Sequence, residues 1–151
     1  MEHSERKIDL LNQAIEINND RVAGYQKAIE LISNEQVGEL QSLFNQYKMQ
    51  SEQFISEIQP FLANVGAPME EGTKVSGKIF RMWMDVKSLV SPSTDQAVLE
   101  SCEKGEDEFK STYNDILEKA MVDCPEIADL LRAQLAQHES AHAHIKELRD
   151  R

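Results

Sequence analysis

Apolar residues recur every three or four positions along four long stretches of the 151-residue chain. This alternation is typical of amphipathic helices that pack side by side in a bundle. It predicts main helices over roughly 5–33, 35–66, 94–120 and 125–149. The first of these seams consists of Ile8, Leu11, Ile15, Asn18, Val22, Tyr25, Ile29 and Ile32. The third consists of Leu99, Cys102, Glu106, Phe109, Tyr113, Ile116 and Ala120. In the fourth, a central polar stretch with His138, Glu139 and His142 is flanked by Ile127, Leu131, Leu135, Ile145 and Leu148. The pattern therefore predicts an all-α fold, a single antiparallel four-helix-bundle domain.

A long connection separates the second and third predicted helices. Within it, residues 78–90 carry apolar side chains at helical spacing, which predicts a short amphipathic helix. A connection of this length with its own helix indicates a crossover, which a simple hairpin does not need. Trp83 either packs back onto the bundle or forms part of a partner surface together with Met82 and Met84.

The composition narrows the functional classes. A net charge of −11 repels nucleic-acid backbones, and the chain contains no local basic patch. No apolar run is long enough to span a bilayer, and the charged N-terminus lacks a secretory-signal pattern, so we expect a cytoplasmic protein. The two cysteines, Cys102 and Cys124, are not spaced as a metal or redox motif and are expected to be free thiols.

Polar residues interrupt each seam near its midpoint. Because the midpoints of antiparallel helices lie at one level, these residues are expected to form a polar layer inside the apolar core. An ionised Glu106 left unpaired there would be strongly destabilising, so it has to meet a histidine, a metal ion or water. The members assigned to this layer are Asn18, Tyr25, Ser51, Glu103 and Glu106, with His138, Glu139 and His142 from the last helix.

The last helix contains Glu139-x-x-His142, a spacing that in helical bundles aims a carboxylate and an imidazole at one metal ion. Together with Glu106 this pair predicts a site for one divalent ion, with His138 or Glu103 as a further ligand. Carboxylate and imidazole suit zinc, iron and manganese alike. The alternative is that Glu106 and His138 or His142 form a hydrogen-bonded pair that determines the register of the bundle.

The two halves of the chain have a similar layout, since 33 residues separate Asn18 from Ser51 and also Glu106 from Glu139. At these residues the chain resembles the ferritin-like superfamily. Its di-iron carboxylate members place a Glu, then a Glu-x-x-His, in each of two helix pairs joined by a crossover. The residues that match the second half of this pattern are Glu106, Glu139 and His142. At the positions of the first half, this chain has Asn18, Ser51 and Phe54 where the pattern has Glu, Glu and His. The resemblance therefore implies a vestigial half metal site, in which only the second half of the pattern is present. Tyr25 also resembles a tyrosine common in ferritin-type helices.

More closely, the chain resembles a family of bacterial ferritin-like four-helix-bundle proteins of unknown function. The segments that carry this resemblance are LNQAIEINNDRVAGYQKA, RMWMDVKSLV, CEKGEDEFKSTY and the final, histidine-bearing helix. The resemblance implies a fold for nearly the whole chain and leaves the activity open.

These observations favour a non-catalytic binding, structural or stress-related role with self-association as a dimer or larger oligomer. The chain has no phosphate-binding loop or nucleophile elbow, so we assign no catalytic residue. The alternatives are a protein that binds a single zinc, iron or manganese ion at Glu106, Glu139 and His142, and a degenerate relative of di-iron oxidases.

If the segment around Trp83 is a partner surface, Trp83→Ala will change the oligomer size because it removes the largest apolar side chain available for burial there. Multi-angle light scattering will detect this change, while circular dichroism is expected to show unchanged helical content. A monomeric mass for both proteins would contradict the prediction of self-association.

Overall fold

The computed structural model describes residues 3–32, 37–66 and 94–150, and these residues form four helices and no strand. The helices are α1 (His3–Leu31), α2 (Val37–Asn64), α3 (Thr94–Asp123) and α4 (Pro125–Asp150). The predicted all-α four-helix bundle is thus confirmed. The predicted helix over 78–90, with Met82, Trp83 and Met84, lies outside the described residues.

Local sequence explains two of the helix ends. Gly66 follows α2 with a φ of 72°, a left-handed conformation that favours glycine, and its N–H bonds the carbonyl of Ala63 at 3.0 Å. Between α3 and α4 the single residue Cys124 breaks the helix. Pro125 begins α4 at the position where a missing N–H costs no hydrogen bond.

Contacts between the helices establish their directions. Along α1 and α3, Arg6 contacts Asp123 whereas Arg21 contacts Glu106, so residue numbers rise on one helix as they fall on the other. The same reversal relates α2 to α4, where Tyr47 meets His144 and Gln134 reaches the carbonyl of Phe54. Since Arg21 contacts Gln50 and Gln26 contacts Lys48, α1 also runs antiparallel to α2. The helices α2 and α3 therefore point the same way, so α3 begins at the end of the bundle opposite to the one where α2 ends, as in bundles with a crossover.

The apolar core runs along the inner faces of all four helices. Every residue of the predicted α3 seam is buried: Leu99, Cys102, Glu106, Phe109, Tyr113, Ile116 and Ala120. Both cysteines are buried, and they do not form a disulfide. None of the described helices has the length and hydropathy needed to cross a membrane.

Two helices are rotated relative to the sequence prediction. On α1, Ala14, Arg21 and Ala28 are fully buried, whereas Val22 and Ile29 of the predicted seam are only half-buried. On α4 the inner face passes through Gln134, His138 and Ala141, while Leu135 and His142 lie at its edge. These rotations decide which polar side chains enter the core.

Candidate functional site at the bundle centre

Arg21 is the largest fully buried side chain in the described part of the chain. Its inward position follows from a second regular alternation on α1, through Leu11, Ala14, Asn18, Arg21, Tyr25, Ala28 and Ile32. This alternation shares every second member with the predicted seam, so spacing alone cannot separate the two. The sequence did contain a signal for the inward position of Arg21. A buried Glu106 requires a cationic partner, and Arg21 supplies that positive charge.

The Arg21 guanidinium and the Glu106 carboxylate form a bidentate ion pair. Nε donates to Oε1 and Nη2 donates to Oε2, each at 2.8 Å, and both side chains have 0% exposure. Parallel hydrogen bonds of this kind are the strongest arrangement available to arginine and a carboxylate. The pair therefore joins the centres of α1 and α3.

The third nitrogen of the guanidinium points to α2. Nη1 donates to Oε1 of Gln50 at 2.8 Å and to Oγ of Ser51 at 3.1 Å. Aromatic rings enclose the cation, with centroids of Phe109, Tyr25 and Tyr47 at 5.1, 5.5 and 5.9 Å from Cζ. Such distances allow cation–π attraction. Four of the five guanidinium N–H groups thus have an acceptor, so the buried charge is well compensated.

Glu106 has two further polar neighbours. The Tyr25 hydroxyl donates to Oε2 at 2.8 Å, and Nε2 of His138 lies 3.3 Å from Oε1. Burial alone would raise the pKa of Glu106, but the positive charge of Arg21 and the contact with His138 outweigh it and lower the pKa from 4.5 to about 2. Burial and the nearby carboxylate raise the pKa of Tyr25 well above 10. At neutral pH the site therefore contains a carboxylate and a neutral tyrosine.

His138 brings α4 into this site. Its ring is fully buried, 4.5 Å from the Phe109 ring and parallel to the His142 ring at 6.1 Å. Nδ1 has no hydrogen-bond partner among the described residues. We call Arg21, Glu106 and the side chains that contact either of them the ionic layer: Tyr25, Tyr47, Gln50, Ser51, Phe109 and His138. It includes side chains from all four helices.

A second polar network, the amide layer, lies next to the ionic layer and also joins all four helices. Nδ2 of Asn18 donates to the Tyr113 hydroxyl at 2.7 Å, which donates to Oε1 of Gln134 at 2.6 Å. Nε2 of Gln134 then donates to the carbonyl of Phe54 at 3.1 Å and to Oε1 of Glu57 at 3.0 Å. Asn18 of the predicted polar layer is thus buried, and it donates a hydrogen bond to a tyrosine hydroxyl.

The residues predicted to bind a metal are dispersed. Glu106 is held by Arg21, whereas the exposed Glu139 pairs with Lys110 at 3.0 Å on the surface. His142 is half-buried, and its Nε2 lies 2.7 Å from Oδ1 of Asp107. Glu106, Glu139 and His142 therefore do not form one cluster among the described residues.

A different group lies in the groove between α3 and α4. Ligand atoms of Glu103, Asp107 and His142 all lie within 4.8 Å of one another, the one group of metal-binding type among the described residues. Glu103, predicted for the core layer, is half-buried here, and Asp107 is exposed. We call these three residues the groove cluster.

The arrangement of the four described helices is that of a ferritin-like bundle. A crystal structure of the Dps protein from Vibrio cholerae O1, described as a member of a broad superfamily of ferritin-like diiron-carboxylate proteins, matches with a TM-score of 0.69. It has 15% sequence identity, and the match covers 96% of this chain and 91% of that chain, which establishes the fold. The sequence profile of the domain of unknown function DUF2383 matches residues 6–119, and the chain belongs to that family. No curated protein matches significantly.

The di-iron centre implied by this superfamily does not fit the residues at the bundle centre. Both Glu106 oxygens already accept hydrogen bonds from Arg21, and the Phe54 ring has no ligand atom. A guanidinium fixed beside the carboxylate would also repel metal cations. The residues at the bundle centre therefore do not suit a dinuclear metal centre.

Lowering the pH is expected to weaken the bundle through Glu106. Because its folded pKa is about 2, below its ordinary 4.5, ionisation of Glu106 contributes stability above pH 4.5 that is lost as the pH falls towards 2. This contribution to the free energy of unfolding is about 3 kcal/mol.

Urea unfolding of wild type and Glu106→Gln between pH 7 and pH 2 will measure this contribution. The variant should be less stable at pH 7, and the difference should shrink on acidification. A difference that is independent of pH would contradict this assignment.

Proposed function

We propose that this protein has a non-catalytic binding or structural role, as a ferritin-like bundle whose centre is closed by its own ion pair. The observation that supports this proposal is the bidentate ion pair between Arg21 and Glu106, whose side chains both have 0% exposure. Redox chemistry in such a bundle requires carboxylates that are open to a metal ion. Here the central carboxylate is already neutralised by a side chain of the same protein.

The ionic and amide layers support a structural role for the buried polar residues. Hydrogen bonds connect all four helices in the amide layer and α1, α2 and α3 in the ionic layer, where His138 of α4 adds a contact to Glu106. Sliding one helix by a turn would therefore leave several buried donors and acceptors without partners. Buried polar groups are retained in some bundles for this reason, because they specify one register among many similar apolar packings.

Self-association and a cytoplasmic location remain part of the proposal. Two exposed apolar side chains lie next to each other near the end of α3, Met121 at 54% and Val122 at 80% exposure. Their burial against a second copy would be favourable. A stress-related role would be compatible with such a bundle.

Metal analysis tests the main proposal. Untagged protein is purified, incubated with Fe²⁺, Mn²⁺ or Zn²⁺, desalted and analysed by mass spectrometry, for wild type and Glu106→Gln. We expect equal metal content in both proteins, because Glu106 is committed to Arg21. Stoichiometric metal in the wild type that is lost in Glu106→Gln would overturn the proposal and favour the predicted site at Glu106, Glu139 and His142.

The groove cluster favours a second candidate function, binding of a single divalent ion at the surface. Two carboxylates one helical turn apart on α3 and an imidazole from α4 are ligands suited to zinc, iron or manganese. The net charge of −11 also raises the local concentration of cations. This candidate is independent of the ionic layer, because none of its three residues belongs to that layer, and it shares His142 and Glu103 with the predicted ligand set.

Calorimetric titration with Zn²⁺ tests the groove cluster. We expect Asp107→Asn to weaken binding about tenfold or more, because one charged ligand is lost. Glu139→Gln is the matched control, since it removes a carboxylate that pairs with Lys110 on the same face. Equal affinities of the Asp107 and Glu139 variants would rule out a specific site in the groove.

A further inference from the structure

The polar and aromatic groups around Arg21 form a complete binding site for a flat cation. Glu106 supplies two anionic acceptors, and Gln50 and Ser51 supply two neutral ones, all between 2.8 and 3.1 Å from guanidinium nitrogens. Three aromatic rings face the cation. These groups come from three helices, so the packing of the bundle as a whole holds them in place.

We propose that the bundle centre is a cation-binding site that the protein fills with its own Arg21 side chain, and that it binds guanidinium ion from solution when that side chain is truncated. The proposal rests on the ion pair described under the proposed function and extends it by naming the class of ligand. That class is a small, planar organic monocation, such as guanidinium or methylguanidinium.

The geometry explains why the site prefers this class. Two parallel hydrogen bonds to a carboxylate require a planar fork of donors, which a guanidinium has and an ammonium lacks. Aromatic faces favour a weakly hydrated cation, because less hydration is lost on burial. Lysine would place one compact charge near Glu106 and could not reproduce the contacts to Gln50 and Ser51 in the same geometry.

Chemical rescue of Arg21→Ala tests the proposal. Removing one partner of a buried ion pair should lower the melting temperature by roughly 10 °C. Adding guanidinium chloride up to about 50 mM should recover at least half of this loss in a saturable way, as expected for a ligand that binds only the folded state. The denaturing effect of guanidinium is small at this concentration.

Three comparisons make the rescue specific. Ethylammonium chloride at the same ionic strength should not raise the melting temperature of Arg21→Ala. Arg6→Ala is the matched control, because it also removes an arginine paired with a carboxylate, here that of Asp123, but one whose side chain is 46% exposed. Guanidinium should not stabilise that variant. It should also fail to stabilise Arg21→Ala/Glu106→Gln, which lacks the carboxylate.

The test does not depend on Arg21→Ala being folded. If this variant is unfolded in buffer, guanidinium should increase its helical circular dichroism signal, whereas Arg21→Met/Glu106→Leu should be folded without any addition because neither charge is buried. Absence of a guanidinium-specific effect on Arg21→Ala, in melting temperature or in helicity, overturns the inference. That result would leave the proposed function intact, which fails only if wild type binds metal through Glu106.

Discussion

The burial of one arginine and one glutamate at the same point determines how the rest of this bundle can be arranged. Each charge alone would be too costly to remove from water, so neither helix can present its charged side chain to the core without the other. The contacts that accompany the pair show the extent of this requirement. Two acceptors on α2, a tyrosine on α1 and a histidine on α4 all point to the same centre. The apolar packing of the bundle is therefore organised around an internal ion pair.

The apolar seams and the polar layers specify different features of the fold. Apolar seams determine which face of each helix is inward, but leucine and isoleucine at equivalent heptad positions allow neighbouring registers at similar energy. Hydrogen bonds from Asn18 through Tyr113 to Gln134 are directional, and they have no equivalent partners one turn away. The polar midsection of this ferritin-like fold thus consists of an ion pair and directional hydrogen bonds, which contribute to the specificity of the fold.

The sequence was sufficient to predict the four long helices and most of the core between them. On α3 only one set of residues spaced by three and four positions fits an inward face. All seven residues predicted for that face are buried. On α1 two alternations fit equally well, and the one with Val22 looked more hydrophobic than the one with Arg21. Charged side chains are almost never fully buried unless they are paired, and pairing is a contact over 85 residues that local spacing does not encode. The inner face of α4 is also rotated relative to the prediction, so that His138 is buried and Glu139 lies on the surface.

The one-residue joint at Cys124 has a consequence for how the molecule assembles. Bringing α3 and α4 together requires almost no loop closure, whereas α1 has to meet α3 across the whole crossover. The hairpin of α3 and α4 can therefore form early, with the Glu106 carboxylate still hydrated along its open side. Dehydration of that carboxylate then coincides with the docking of α1, which delivers the compensating guanidinium in the same step. Assembly in this order would leave no isolated charge in a dry interior at any stage.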